Sequence, residues 1–267
     1  MLTEYLTFSC MTKQAVAVNL DDDDPSWESD TSETAVSLAG REYFAGGMVG
    51  MMLGMMKDVA QLQARWAASA APPRCLPPDA QTVVFFDWDD TLLCTSHLGA
   101  YADDNVPTLL QQQLEDLEAS VRRLLELAAR LGRVIIVTNA EEGWVQQSAA
   151  RFLPGLAPAL EGVPVLSARS LFEAWHPGDA AAWKARAFLS VQSQLDVSGF
   201  ANVISVGDSS HELAAAKALG RRFAGSAVKT VRFRAHPGPD VLRYEVDYLA
   251  DCLVQVVQDG SDYDLVL

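Results

Sequence analysis

The sequence predicts an α/β protein in which residues 81–267 form a Rossmann-like, three-layer α/β/α sandwich. Short apolar runs alternate with segments of helical periodicity from residue 80 onward, and this alternation is typical of parallel strands joined by helices. The runs are rich in β-branched residues and almost continuously hydrophobic, as expected of strands that helices cover on both faces. We therefore expect a mainly parallel sheet of five strands, at Thr82–Phe86, Val134–Thr138, Val163–Leu166, Val203–Val206 and Val228–Phe233.

The helical segments lie between these runs. In the first of them, apolar residues recur four and three apart from Leu110 to Leu131, and Gly132 is placed to end the helix. The same spacing is compatible with a coiled coil, but its length favours a helix that lies on a sheet. Further helices are predicted at Glu142–Phe152, Ala180–Gln194, Glu212–Leu219 and Pro239–Gln258.

Residues 1–80 differ in composition from the rest and are predicted to be a largely disordered extension. Asp21–Thr34 holds seven acidic residues and no basic one, a composition typical of solvated chain. In Phe44–Met56, glycine recurs every four residues among methionines, which predicts a helix with a small-residue groove for close packing. The proline-rich Ala71–Pro78 is interpreted as a stiff linker, so the domain boundary is placed at residue 80.

Charge and cysteine content restrict the classes of partner and compartment. The 267 residues include 35 acidic and 20 basic side chains, for a net charge of −15, and a surface this acidic repels nucleic acid. A local metal ion can still attract a phosphorylated substrate. The four cysteines form no C-x-x-C pair, which favours free thiols in a reducing compartment. With no recognisable signal sequence and no apolar run of roughly 18 residues, we expect a cytoplasmic protein without a transmembrane span.

Asp87 and Asp89 follow the first predicted strand, and their spacing predicts two carboxylates in one crevice at the end of the sheet. Two such acids can share phosphoryl transfer. Asp87 attacks phosphorus to form an aspartyl-phosphate, and Asp89 protonates the leaving oxygen and then takes a proton from water. Clustered carboxylates need a cation, and oxygen ligands favour Mg²⁺. The segment also fits a calcium-like acidic turn or a helix cap at Thr91.

Two later strand ends carry polar residues. Thr138 and Asn139 follow the second predicted strand, where a hydroxyl can donate to a phosphate oxygen, although Thr-Asn is also common as a turn or helix cap. Asp208 follows the fourth predicted strand, where a further metal ligand is wanted, and Glu212 could orient metal-bound water. Alternatively, Asp208 caps the next helix and Glu212 lies in its first turn.

Lys184 is the sole lysine between the second predicted strand and the Gly207-Asp208 turn. An ammonium at the start of a helix there could keep the nucleophile ionised and offset charge on the transferred phosphoryl group. A surface lysine without a function is the alternative. The nearby Trp175 and Trp183 flank this lysine and are interpreted as core residues.

Together these residues resemble the haloacid dehalogenase superfamily of phosphatases, over roughly residues 82–233. The family pattern is D-x-D-x-T after a strand, then a Ser or Thr, a Lys and an acidic pair, and it is matched by Asp87-x-Asp89-x-Thr91, Thr138, Lys184 and Asp208 with Glu212. The resemblance implies a Rossmann-like sheet with the third strand at one edge. It also implies Mg²⁺ held by Asp87, the main-chain oxygen of Asp89, and Asp208, with Thr91 and Glu212 in supporting positions.

Two departures from the family pattern bear on function. Asp90 stands where many relatives have glycine, which adds negative charge near the crevice. The segments after the first and second strands leave little room for a cap domain, and the resulting open site favours a large substrate such as a phosphoprotein. The expected activity is Mg²⁺-dependent phosphomonoester hydrolysis. The alternatives are an inactive phosphatase-like scaffold and a phosphotransferase with the same nucleophile.

Overall fold

A computed structural model describes residues 81–101, 106–194 and 201–267. The predicted extension over residues 1–80, its Gly/Met-rich segment and its linker lie outside these described residues. The described part confirms the predicted α/β/α class, because a single parallel sheet is flanked by helices on both faces.

Six strands form the sheet: β1 (Thr82–Phe86), β2 (Arg133–Thr138), β3 (Val165–Ser167), β4 (Asn202–Gly207), β5 (Ala227–Arg232) and β6 (Tyr263–Val266). Their spatial order is β3-β2-β1-β4-β5-β6, and every neighbouring pair is parallel. The expected count of five strands was one too low. Strand β6 was missed because Asp264 interrupts its short apolar run and Asp262 directly precedes it. The third strand lies at an edge, as the family resemblance implies.

Eight helices connect the strands in the described residues: α1 (Thr95–Leu98), α2 (Thr108–Leu131), α3 (Trp144–Phe152), α4 (Ala157–Leu160), α5 (Ala168–Phe172), α6 (Ala180–Gln194), α7 (Ser210–Gly220) and α8 (Pro239–Gln258). Buried side chains of α2, α3 and α8 share one apolar core with one face of the sheet. Those of α5, α6 and α7 form a second core on the opposite face.

Strand β1 lies at the centre of both cores. Val84 and Phe86 belong to one core, and Val83 and Phe85 belong to the other, because side chains alternate between the two faces of a strand. All five residues of β1 are buried. This explains the continuous hydrophobicity of the sequence before Asp87.

Gly132 follows α2, as predicted, but its role differs from the usual left-handed helix cap. Its backbone is extended, with φ of −178°. A β-carbon at this position would lie 2.7 Å from the main-chain oxygen of Thr82. The glycine is therefore required by the close approach of the chain to the start of β1.

The strand order creates a crevice between the carboxyl ends of β1 and β4. The chain leaves β1 towards the helical layer that contains α2, and it leaves β4 towards the layer that contains α7. Ligands of open α/β sheets bind at such a reversal of strand order. Between β3 and α6 there is only α5 and a loop, and the described residues contain no second sheet, so no cap domain covers this edge within the part that the structure describes.

Two features of the described residues concern the expectations for membrane spans and cysteines. No helix in the described ranges combines the length and the apolar character that a membrane crossing requires. Cys94 and Cys252 are free and buried, while the other two cysteines lie outside the described residues.

Candidate active site

Asp87 lies at the carboxyl end of β1, in the crevice that the strand order creates. Its backbone N–H donates to the main-chain oxygen of Val206 at 2.9 Å, so the β1–β4 pairing continues through this residue. The neighbouring Phe86 is paired with Val206, which places Asp87 beside Gly207. The whole residue is 8% exposed. It is therefore held in a largely buried position by the central strands.

Aromatic packing beneath the site sets the distance between α6 and β1. The rings of Phe85 and Phe188 are stacked, with centroids 4.0 Å apart. Asp87 follows Phe85 by two residues, so both side chains lie on the same face of the β1 strand. Lys184 precedes Phe188 by four residues, so both lie on the same face of α6. This stacking brings Lys184 over the carboxyl end of β1.

Lys184 uses all three of its N–H donors on protein acceptors. Its Nζ lies 2.6 Å from Asp87 Oδ1, 2.9 Å from Glu212 Oε1 and 2.8 Å from the main-chain oxygen of Val137. The side chain is 1% exposed. The alternative of a surface lysine is therefore wrong, and an ammonium has no further donor to offer while these three contacts persist.

The three buried charges perturb one another. Burial raises the pKa of Asp87 to about 7, although the Lys184 ammonium opposes this effect, and Glu212 raises it further. Burial acts to lower the pKa of Lys184, but its two carboxylate partners outweigh burial and the pKa is raised. Burial acts to raise the pKa of Glu212, but the Lys184 ammonium and the Ser209 hydroxyl outweigh it and the pKa is lowered.

Asp208 lies between β4 and α7, and Ser209 rather than Asp208 caps the helix. Ser209 accepts a hydrogen bond from the His211 N–H, and Glu212 accepts in return from the Ser209 N–H at 3.2 Å. The alternative in which Asp208 caps the helix is wrong. The prediction that Glu212 lies in the first turn is confirmed, and Glu212 both completes the cap and binds Lys184.

Gly207 allows the Glu212 side chain to pack closely against the turn between β4 and α7. A β-carbon on Gly207 would lie 2.4 Å from Glu212 Cγ, so any larger residue would displace the Glu212 side chain.

Asp87, Asp208 and Glu212 form a cluster in which one oxygen of each lies within 4.8 Å of the others. Burial raises the pKa of Asp208 to about 6, with further contributions from Glu212 and Asp90. Three carboxylates surround one ammonium, so the cluster carries a formal charge of about −2 when all are ionised. A cluster of oxygen ligands with this negative charge suits a hard divalent cation.

The Asp89 carboxylate is not part of this cluster. Its Oδ1 accepts from Trp144 Nε1 and Thr95 Oγ1, each at 2.8 Å, and its Oδ2 accepts from Thr138 Oγ1 at 3.1 Å. Residues from three chain segments therefore hold Asp89 beside the crevice. Both residues lie at the carboxyl end of β1, as expected. Their carboxylates, however, have different partners.

The remaining predicted residues differ in how they are used. Thr138 also accepts from the Ala140 N–H at 2.9 Å, so its hydroxyl is engaged by the protein. The Asn139 amide donates weakly to the main-chain oxygen of Ala180 at 3.5 Å, and its buried Oδ1 has no partner in the described residues. The Thr91 hydroxyl is buried and likewise has no partner there, so a supporting role for Thr91 stays a prediction.

Sequence reasoning missed a group of residues around Asp90. Asp90 is buried and has a left-handed backbone with φ of 55°, a conformation that glycine adopts more easily. Its carboxylate accepts from the backbone and the hydroxyl of Ser96 and lies 3.2 Å from His236 Nδ1. Local pattern gave no signal for the contact with His236, because this residue lies in a loop 146 positions after Asp90. Ser96 lies in α1, only six positions after Asp90.

The tryptophans divide between core and surface. Trp183 is buried, as predicted. The partly buried Trp144 packs against the other core, and its indole N–H donates to Asp89, a contact that sequence reasoning did not predict. The expectation that Trp175 is a core residue is wrong, because its side chain is 78% exposed.

No family model, curated protein or solved structure matches the chain. The chemistry of the clustered residues is therefore the basis for a functional proposal.

Proposed function

We propose that the protein is a Mg²⁺-dependent phosphomonoester hydrolase that forms an aspartyl-phosphate on Asp87, as in the haloacid dehalogenase superfamily that its motifs resemble. One observation supports this proposal above the others. Lys184 is buried between Asp87 and Glu212, with Asp208 alongside, at the reversal of strand order where an α/β sheet binds its ligand. A buried lysine with this many acidic neighbours is typical of functional sites.

Asp87 is the nucleophile in this proposal. Lys184 binds Oδ1, so attack through Oδ2 keeps the ion pair in place. A bond forms between the carboxylate oxygen and phosphorus while the bond from phosphorus to the ester oxygen breaks. Water then attacks phosphorus, which releases inorganic phosphate and regenerates the Asp87 carboxylate.

Asp89 serves as the general acid and base. It gives a proton to the departing alcohol oxygen and later takes one from the attacking water. The donors Trp144, Thr95 and Thr138 hold its carboxylate in one orientation. A fixed orientation favours proton transfer at a defined position, which is the benefit of a preorganised site.

Lys184 acts through its charge. Because its three donors are used within the protein, it stabilises the ionised form of Asp87 and offsets charge on the phosphoryl group without a direct bond to it. Glu212 holds the ammonium in place and satisfies the cap of α7. Thr138 and Asn139 lie at the end of β2. In this proposal the Asn139 amide binds a phosphate oxygen, and the Thr138 hydroxyl does so by exchanging its bond to Asp89 for one to phosphate.

Mg²⁺ would be held by the carboxylates of Asp87 and Asp208, with the main-chain oxygen of Asp89 as the resemblance implies. When bound, the ion neutralises charge on the phosphoryl oxygens and polarises the phosphorus centre. Glu212 is the weaker candidate ligand, because Lys184 and Ser209 already engage its two oxygens.

Phosphate release from an aryl phosphate tests the reaction. The purified full chain should release phosphate with Mg²⁺ present, and a chelator should abolish this release. Asp87→Asn should lower the rate by at least about 10³-fold, because the amide cannot attack phosphorus. Asp116→Asn, an exposed acid on α2, is the matched control and should retain activity. Full activity in Asp87→Asn would disprove the mechanism.

Two further measurements separate the alternatives. Transfer of phosphate to an added alcohol in preference to water would indicate a phosphotransferase. Thermal unfolding with and without Mg²⁺ reports metal binding independently of turnover, since a ligand of the folded state raises Tm. A Mg²⁺-dependent rise in Tm that Asp208→Asn removes, together with no turnover on a broad panel of phosphoesters, would indicate a phosphatase-like scaffold.

A further inference from the structure

The exposed indole of Trp175 lies at the same edge of the sheet as the candidate active site. Trp175 follows α5, which begins directly after β3 ends, and it precedes α6, which carries Lys184. At 78% exposure, Trp175 has the most exposed side chain among the large hydrophobic residues that the structure describes. Leu171, on α5, is also exposed, at 45%. A large aromatic side chain on the surface near a binding site is a common contact for a partner.

The backbone that carries Trp175 is well anchored. The N–H groups of Trp175 and His176 both donate to the main-chain oxygen of Phe172, at 3.1 and 3.0 Å. The main-chain oxygen of His176 accepts from the buried Trp183 Nε1 at 2.6 Å. The exposed indole is therefore presented from a position that the packed core determines.

Trp175 is close to the site along the chain and in space. The Trp183 indole N–H donates to the main-chain oxygen of His176, the residue after Trp175. Trp183 directly precedes Lys184 in the chain. The helix α6 begins at Ala180, whose main-chain oxygen meets the Asn139 amide at the end of β2. Lys184 is one helical turn further on, about 6 Å along the axis. The Trp175 loop thus forms the rim of the crevice on the β2 side.

Acidic side chains surround this rim. Glu141 and Glu142 follow β2, and the Glu142 N–H donates to the Ser170 hydroxyl of α5 at 3.1 Å, which ties the two segments together. Glu173 and Asp179 lie in the α5–α6 loop itself. The one arginine here, Arg169, is engaged by Glu173 at 2.8 Å and by Glu141 at 3.7 Å, which leaves the rim with a net negative charge.

We propose that Trp175 and the acidic rim formed by Glu141, Glu142, Glu173 and Asp179 bind a basic peptide segment that flanks the phosphorylated residue of a protein substrate. A lysine or arginine placed over the indole gains a cation–π contact, and the surrounding carboxylates favour its charge. This inference rests on the proposed phosphatase function and names its substrate class. In an extended peptide each residue spans about 3.3 Å, so the distance of the basic residue from the phosphorylated one is set by the separation of the indole and the crevice, and the peptide test scans it.

Charge decides between this occupant and a segment of the same chain. The most acidic part of the chain, Asp21–Thr34, holds seven acids and no base, and an acidic rim would repel it. A cationic segment of a substrate has the complementary charge, and its phosphate would meet Lys184 and the Mg²⁺ of the proposed function in the crevice.

Peptide hydrolysis by the full chain tests the proposal. Three sets of phosphoserine peptides of equal length would carry basic, neutral or acidic residues at successive positions on either side of the phosphoserine, with an aryl phosphate as a reference without flanking residues. We expect kcat/KM to be highest for the basic peptide. Trp175→Ala should lower it for that peptide by about fivefold to tenfold, and Trp175→Phe should restore most of the loss. Equal kcat/KM for the basic and neutral peptides, or an equal loss on the aryl phosphate in Trp175→Ala, would overturn the proposal.

A binding measurement keeps this test independent of turnover. A fluorescently labelled basic phosphopeptide should bind the Asp87→Asn variant, and Trp175→Ala in that background should raise Kd by about fivefold. Glu142→Lys should weaken binding in the same direction, more at low than at high ionic strength. A Kd that Trp175 does not affect overturns the docking surface. Binding that depends on Trp175 without hydrolysis of any substrate overturns only the phosphatase function.

Discussion

The ammonium of Lys184 lies 2.6 Å from Asp87 Oδ1 although 97 positions separate the two residues in the chain. Two aromatic rings set this distance. Phe188, one turn after Lys184, stacks on Phe85, two residues before Asp87, with ring centroids 4.0 Å apart. The packing of α6 against the sheet therefore also determines the distance between Lys184 and Asp87 in the candidate active site.

The first prediction concerns this stacking. Phe188→Ala should destabilise the fold by about 3–5 kcal/mol through loss of buried area and creation of a cavity. It should also lower kcat at temperatures where the variant remains folded, because Lys184 loses its support. Leu117→Ala, in the core on the other face of the sheet, is the matched control and should lower stability with little effect on kcat. Equal kcat in the two folded variants would contradict the role assigned to Phe188. The readouts are urea denaturation and steady-state kinetics.

The second prediction concerns the buried charges. Lys184→Met leaves Asp87 and Glu212 without their cation, and breaking a buried ion pair costs about 3–5 kcal/mol. Glu212→Gln added to Lys184→Met should recover part of this loss, because one uncompensated charge is removed. The two substitutions should therefore be non-additive by at least about 1 kcal/mol. Urea denaturation of the four proteins at pH 7 with a chelator present measures the coupling. Simple additivity would show that Lys184 and Glu212 do not interact energetically.

The third prediction concerns Asp90, which stands where many members of the resembling family have glycine. Asp90→Gly relieves a left-handed backbone that costs a non-glycine residue about 1–2 kcal/mol, but it removes the bonds to Ser96. These effects offset, so the change in stability should stay within about 2 kcal/mol. Asp90 contributes negative charge at Asp208, so its loss should weaken Mg²⁺ binding by about threefold to tenfold.

His236 supplies the control for this prediction. His236→Ala removes the ring that faces Asp90 but keeps the carboxylate, so Mg²⁺ affinity should not fall. Calorimetric titration with Mg²⁺ compares the two variants. An equal loss of affinity in both would show that loop geometry, and not the charge of Asp90, governs metal binding.

The fourth prediction concerns Glu245, a buried acid on α8. Burial raises its pKa to about 7; its Oε1 accepts from the Arg234 N–H at 3.0 Å, and its Oε2 has no partner in the described residues. Because the folded pKa lies above the unfolded value of 4.5, the neutral acid stabilises the fold fully below pH 4.5, and this contribution is lost as pH rises through 7. The loss amounts to about 3 kcal/mol at most.

Glu245→Gln isolates this effect. The amide stays neutral at every pH, so the variant should be as stable as the parent near pH 4.5 and more stable than it at pH 8. The difference between the two unfolding free energies, measured in urea from pH 4.5 to 8, cancels the contribution of the other titrating groups. A difference that does not change with pH would show that the pKa of Glu245 is not raised in the folded protein.

Local patterns were sufficient to predict most of the fold. Hydrophobic runs before Asp87, Thr138 and Asp208 are properties of a few adjacent residues, and they place these side chains at the carboxyl ends of β1, β2 and β4. Strand β6 was the exception, because its four residues include a charged one and it is recognisable mainly by its pairing with β5.

The site was predicted less completely than the fold. Motif order pointed to Lys184, and burial and charge pairing support that choice. Trp144 and Thr95, which hold Asp89, carry no local signal, because an indole or hydroxyl at those positions is equally compatible with a core or a solvated loop. Only the arrangement of α1 and α3 at the end of β1 shows that they donate to one carboxylate.

The sequence by itself thus determined the α/β/α class and the identities of the acids and the lysine that reach the carboxyl edge of the sheet, because hydrophobic periodicity and motif order are local in the chain. The tertiary structure alone decided that Lys184 is shared by Asp87 and Glu212, that Ser209 rather than Asp208 caps α7, and that Trp183 is buried while Trp175 is exposed. These outcomes depend on the order of strands and the packing of helices, which bring together residues that no local pattern connects.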